Sequence, residues 1–194
     1  MRPQKLQGLE LFDIYHQIAI ALSFSLVIFF LVLCNQIRAD KRALIIKYLI
    51  IFTIIQEIAD YLGRIQFNGL SLEIDLPLHL CHYGLFMGLF SLYKKSQFCF
   101  EFTFLIGIPS ALLAIVTPDM NDYNNWTNYI TFFIHHSLII VFPLWNIFVD
   151  KLSLRKFSVF YSSFFCVFMI IPVGLVCWVT GGNYICLLYT SDAA

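Results

Sequence analysis

Apolar residues along this chain run unbroken for about 20 positions at a time and then give way to short polar joints, a pattern repeated six times. A hydrocarbon core about 30 Å thick needs ~20 residues of helix to cross it, so each run reads as a membrane-spanning helix. The expected spans are Ile14 to Cys34, Ala43 to Gly63, Leu76 to Leu92, Phe98 to Val116, Asn128 to Val149 and Phe157 to Val179. Apolar residues do not alternate with polar ones within a run, which argues for helices over barrel strands. The expected fold class is therefore all-α, a polytopic transmembrane helical bundle with six helices in this chain. The first run is too long for a signal-peptide core and lacks a small-residue cleavage site, so it reads as a retained helix.

The joints carry the orientation. Arg38, Lys41 and Arg42 follow span one, Lys94 and Lys95 follow span three, and Lys151, Arg155 and Lys156 follow span five. The opposite joints, Gln66 to Asp75 and Thr117 to Thr127, contain no Lys or Arg. The positive-inside bias then places the basic joints in the cytoplasm and the N-terminus outside. Composition agrees with a lipid-embedded chain: 60% hydrophobic residues and 12% charged ones exclude a water-soluble domain. A formal net charge of zero gives no footing for nucleic acid, which leaves membrane lipids as the expected partners. Nothing in the pattern sets an oligomeric state.

The last nine residues, Cys186 to Ala194, read as the in-frame translation of a transposase adapter used in sequencing libraries. The expected organisation is thus one transmembrane domain over residues 1–185, incomplete at its C-terminus and lacking a seventh span, followed by a non-native tail over residues 186–194.

Chemistry must come from the few polar residues within the spans. Glu57, Asp60 and Arg64, at i, i+3 and i+7, share one helix face, where Asp60 can pair with Arg64. Span three opens with Asp75-Leu76-Pro77-Leu78-His79-Leu80-Cys81-His82, span four ends at Thr117-Pro118-Asp119, and span five enters from the same side through Trp126 to His135 and His136. Four spans thus deliver polar groups to one layer in the outer half of the bilayer. Ionisable groups at membrane depth cost about 2.5–3.5 kcal/mol each on insertion scales, so they are expected to face one another or a watery cavity. Lys47 and Arg64 lie near span ends and can snorkel, and Glu101 sits close enough to the inner interface to be hydrated. Glu57 has no such escape and needs a partner, for which a histidine is the expectation. Pro109, Pro143 and Pro172 fall inside spans and predict kinks.

On span three, His79, His82, Tyr83 and Phe86 share one face, whereas Cys81, Gly84, Leu85 and Gly88 lie on another, a small-residue stripe suited to close helix contact. The cysteines show no Cys-x-x-Cys pair; Cys81 and Cys177 are the two that topology brings near the outer surface, where a bridge is possible. His79-x-x-His82 is a weak metal spacing and adjacent histidines diverge by about 100°, so no metal and no cofactor is assigned. Two readings remain. Cys81, activated by His135 or His136, could take an acyl group from a lipid and pass it on, with His79, His82, Glu57, Asp60 and Asp119 as a supporting polar layer and Asp119 or Glu57 orienting the base. Alternatively, the His/Asp/Glu layer serves a non-enzymatic transporter or small-molecule-binding protein, or merely holds helices together.

Several segments resemble the YwaF family of bacterial integral membrane proteins: Leu76-Pro77-Leu78-His79-Leu80-Cys81, Gly107-Ile108-Pro109-Ser110-Ala111-Leu112-Leu113-Ala114 with Thr117-Pro118-Asp119, Phe132-Phe133-Ile134-His135-His136, and Gly182-Asn183-Tyr184. That family is similar to an animal membrane-protein family assigned a cysteine-dependent phospholipid acyltransferase activity. The resemblance implies a multi-pass protein of the bacterial cell membrane, with Cys81 as nucleophile and His136 or His135 as its base. It also implies a further C-terminal helix beyond the Gly-x-Asn-Tyr segment.

Overall fold

The computed structural model describes residues 9–67, 69–119 and 125–186, and among them the secondary structure is helical throughout, with no strand. Helix α1 covers Ile14–Gln36, α2 Arg42–Phe67, α3 Leu80–Lys94, α4 Gln97–Phe102, α5 Ile108–Val116, α6 Trp126–Phe148 and α7 Ser158–Thr180. A π-helical turn, Thr103–Gly107, joins α4 and α5 into one rod, so the six expected spans become six rods. All of the proposed tail except Cys186 lies outside the described residues.

Local chemistry sets the helix ends. The Asp13 side chain caps α1 by accepting from the His16 N–H at 2.7 Å, and Asn125 caps α6 by accepting from the Asn128 N–H at 2.9 Å. Gly181, at φ +77°, closes α7 in the left-handed region that favours glycine, its N–H reaching the Cys177 carbonyl. Four rods are long and apolar enough to cross a membrane: Ile14–Cys34, Gln97–Val116, Trp126–Phe148 and Ser158–Thr180. The other two differ for physical reasons that bear on the site. Helix α2 is 26 residues long but carries Lys47, Glu57, Asp60 and Arg64. Helix α3 starts at Leu80 rather than Leu76 and has only 15 residues, because the segment before it is a turn followed by bends and is pinned by hydrogen bonds to the Tyr184 hydroxyl.

Helix α6 is the axis of the bundle. It packs against α1, α2, α3 and the α4–α5 rod, and 72% of its most apolar window is buried. By contrast, α7 leans on α4 and leaves Phe160, Phe164, Ile171 and Trp178 exposed, the surface expected of a helix against lipid. Close approach at the centre depends on glycine. A Cβ on Gly84 would stand 3.3 Å from Ile139 and 3.5 Å from the Gly107 backbone, and one on Gly88 would stand 2.9 Å from Phe142 and 3.1 Å from Thr103. The stripe read from the sequence is thus the seam of α3 with α6 and the π turn. Pro109 falls in the first turn of α5, just after that π turn, where a residue without an N–H is tolerated.

Two carboxylates at the basic end are buried and paired. Asp150 is buried and takes Arg42 at 2.6 and 2.8 Å together with Lys95 at 3.2 Å. Glu101, expected to be hydrated, is fully buried. Arg155 clamps its two oxygens at 2.7 and 2.9 Å, and Gln97 adds a bond at 2.8 Å. Arg155 stands outside the spans, and its hydrogen bonds to Glu101 push its pKa up. Cys81 and Cys177 are both free thiols, so the bridge that topology allowed is not formed. The Cys177 sulfur instead lies 3.3 Å from the Tyr184 N–H.

Candidate functional site

At the histidine end of the bundle, the polar face of α2 meets a polar stripe on α6. Asp60 accepts from Arg64 Nε at 2.7 Å, from Asn128 Nδ2 at 2.8 Å and from Thr131 Oγ1 at 2.7 Å. Arg64 continues to Asp75 at 2.8 Å, so it is held in an ion-pair chain rather than snorkelling freely. One turn deeper, Glu57 Oε1 lies 2.6 Å from His135 Nδ1 and also accepts from Gln56 Nε2. The partner that Glu57 required is therefore a histidine, as its depth demanded.

The imidazoles form a continuous run. Ring centroids are 6.2 Å apart from His79 to His82, 5.1 Å from His82 to His135, and 5.1 Å from His135 to His136. Helical spacing separates their roles: His135 points at α2 and α3, while His136, 100° round the helix, keeps Nδ1 2.7 Å from the Phe132 carbonyl of its own helix. A carbonyl only accepts, so Nδ1 of His136 carries the proton and Nε2 of the neutral ring is left as an acceptor.

The two faces of α3 diverge as the spacing predicts. His82 lies beside Phe86 and His135, while Cys81 packs toward the α4–α5 rod, with the Ser110 hydroxyl in hydrogen-bond reach of its thiol. Ser110 itself donates to the Gly107 carbonyl at 2.9 Å. Asp119 is exposed beyond the end of α5. His79, the residue before α3, lies 5.0 Å from the Tyr184 ring.

Tyr184 is the anchor of this end. Fully buried, its hydroxyl accepts from the Leu76 N–H at 3.0 Å and donates to the Leu72 carbonyl at 2.9 Å, fastening the lead into α3. Burial pushes the Tyr184 pKa up, which keeps the hydroxyl a donor. Gly182 makes the docking possible, since a Cβ there would collide with the Glu73 carbonyl oxygen.

Between α2 and α3, which barely touch, lies a groove of about 400 Å³ lined by Ile54, Ile58, Tyr61, Leu62, Phe86 and Leu89. Glu57 is the ionisable carboxyl on its wall, which is otherwise apolar apart from Thr53 and Tyr61.

Some of the site was not singled out from the sequence. Asn128, Thr131 and His135 stand at i, i+3 and i+7 on α6, and that spacing mirrors Glu57, Asp60 and Arg64 on α2; matching the two stripes would have found the contact. His16 lies apart: it accepts from the Phe12 N–H at 2.9 Å and donates to the Ile115 carbonyl at 3.0 Å, a satisfied bond between α1 and α5 with no spare nitrogen.

Fold and site together define an integral membrane helical bundle with a connected cluster of ionisable side chains buried toward one end. The chain belongs to the TMEM164 family of membrane proteins, whose profile matches residues 11–194. That is the family named by the match, rather than the YwaF family that the Leu-Pro-Leu-His-Leu-Cys string resembles. No curated protein and no solved structure matches the chain.

Proposed function

We propose that this protein transfers or hydrolyses acyl groups of membrane lipids, with Cys81 as nucleophile and His136 as its base. The observation that carries the reading is the register of α3 against α6. Gly84 meets Ile139 and Gly88 meets Phe142, so the two helices run in the same direction. Cys81 and His136 each stand three residues before the first of these contacts, at one level on facing helices. His136 has its acceptor nitrogen available, and the Ser110 hydroxyl adjoins the thiol.

In this reaction the Cys81 thiol gives its proton to His136 Nε2 as the sulfur attacks an ester carbonyl. The S–C bond forms, the ester C–O bond breaks, and the departing alkoxide takes the proton to leave as a lysolipid hydroxyl. A second hydroxyl, from an acceptor lipid or from water, then attacks the thioester and regenerates the thiol.

The test is covalent trapping. Incubated with a phospholipid bearing an alkyne-tagged acyl chain, the full-length protein is expected to carry a hydroxylamine-sensitive label on Cys81. His136→Ala should slow labelling by roughly 10²–10⁴-fold. Equal labelling of Cys81→Ala removes the proposal.

The groove at Glu57 favours a second reading, binding or proton-coupled passage of a small solute. In that case no thioester forms, Cys81→Ser leaves uptake into proteoliposomes intact, and Glu57→Gln abolishes it.

A further inference from the structure

We propose that Glu57, His82 and His135 form a binding site for a divalent transition-metal ion of the zinc type, independent of the Cys81 chemistry. One ligand atom from each of the three lies within 4.8 Å of the others, although they come from three different helices. Zinc bonded to nitrogen at about 2.0–2.1 Å sets tetrahedral ligand atoms roughly 3.4 Å apart, a spacing that small side-chain rotations of the two imidazoles would reach.

Unspent hydrogen-bonding capacity is the second observation. Among the described residues, His82 Nδ1 and His135 Nε2 are buried with no hydrogen-bond partner, and so is Gln56 Oε1 on the residue beside Glu57. Leaving one buried polar atom unpaired costs about 1–3 kcal/mol, so two unpaired imidazole nitrogens in one cluster need an explanation. His135 is only 7% exposed.

The bond from Glu57 gives His135 the arrangement seen around metal-ligating histidines. Its Nδ1–H points to a carboxylate, which fixes the ring and leaves Nε2 as the lone-pair donor. Glu57 then contributes by orienting the ring, because a carboxylate bonded at Nδ1 lies across the imidazole from a metal on Nε2. Charge points the same way. Among the described residues of this cluster, three carboxylates, Glu57, Asp60 and Asp75, face one cation, Arg64. A divalent ion would offset the excess. Two imidazoles leave coordination positions that water or another oxygen donor would fill.

The measurement is metal content of the full chain in lipid nanodiscs, stripped with chelator, incubated with zinc ions and freed of unbound metal by gel filtration. About one zinc per chain is expected. His82→Ala should weaken binding at least tenfold and remove the zinc-dependent rise in unfolding temperature, because that ring sacrifices no Nδ1 hydrogen bond in the change. If His82→Ala fails to assemble, Glu57→Gln, which keeps an amide of the same shape, should show the same loss. Cys81→Ser should retain full zinc content, and this separates the metal site from the acyl-transfer reading. Wild-type protein without zinc, or zinc retained at full stoichiometry in the assembled variants, overturns the proposal; so does zinc lost with Cys81→Ser.

Discussion

Asp60→Ala is expected to be among the most destabilising single changes in the bundle, lowering stability by about 2–5 kcal/mol. It removes three side-chain hydrogen bonds, from Arg64, Asn128 and Thr131. Bonds of this kind between membrane helices are worth about 0.6–1.7 kcal/mol each, and the charged acceptor puts them toward the upper part of that range. Arg64 keeps Asp75, and Thr131 keeps a bond to the Thr127 carbonyl at 2.9 Å, so the loss stops short of unfolding the whole end. Thermal unfolding in micelles, followed by aggregation or by reactivity of the buried Cys34, checks it. Asp60→Asn, which keeps an acceptor for Asn128 and Thr131, should recover part of the deficit.

Gly88→Leu is expected to prevent α3 from seating, with a loss of roughly 1–3 kcal/mol or more from overpacking. The first added carbon already meets Phe142 at 2.9 Å and Thr103 at 3.1 Å, and both neighbours are held inside the core. Because His82 and Cys81 ride on α3, both sites should fail together: the acyl label and zinc binding are lost in the same variant. Loss of one alone would show that α3 is not positioned as a rigid unit. Gly88→Ala, which adds that first carbon alone, should lie between wild type and Gly88→Leu.

These effects fall where sequence and structure agree most closely. The helices were legible because lipid leaves no alternative for backbone groups within a long charge-free run. Glu57, Asp60 and Arg64 were legible as one face because three sparse charges at helical spacing are unlike their surroundings. That Glu57 would need a partner such as a histidine followed from depth, since a carboxylate two turns below a helix end has few places to go, whereas its identity as His135 came from the packing. What escaped detection depends on long-range packing. Glu101 meets a partner 54 positions away in sequence, and nothing near it announces Arg155. The shortening of α3 depends on Tyr184, 108 residues beyond the Leu76 N–H that it accepts from. The π turn at Thr103–Gly107 carries no local signal beyond the proline that follows it; it fits where Gly84 and Gly88 permit a wider turn to approach. The divergence of Cys81 from His79 and His82, and of His136 from His135, was legible from the 100° step, whereas the common register of α3 and α6 required the three-dimensional packing.

Underlying the polar cluster and the metal site is the meeting of α2, α3 and α6 at Glu57, His82 and His135. A double-mutant cycle on Glu57→Gln and His135→Gln, read as unfolding free energy in bilayer-like micelles, measures that meeting directly. At a separation of 2.6 Å the two side chains should show a coupling energy of about 1 kcal/mol or more. Strictly additive losses, with coupling below about 0.3 kcal/mol, would mean that these residues do not touch and that the cluster is not assembled as described.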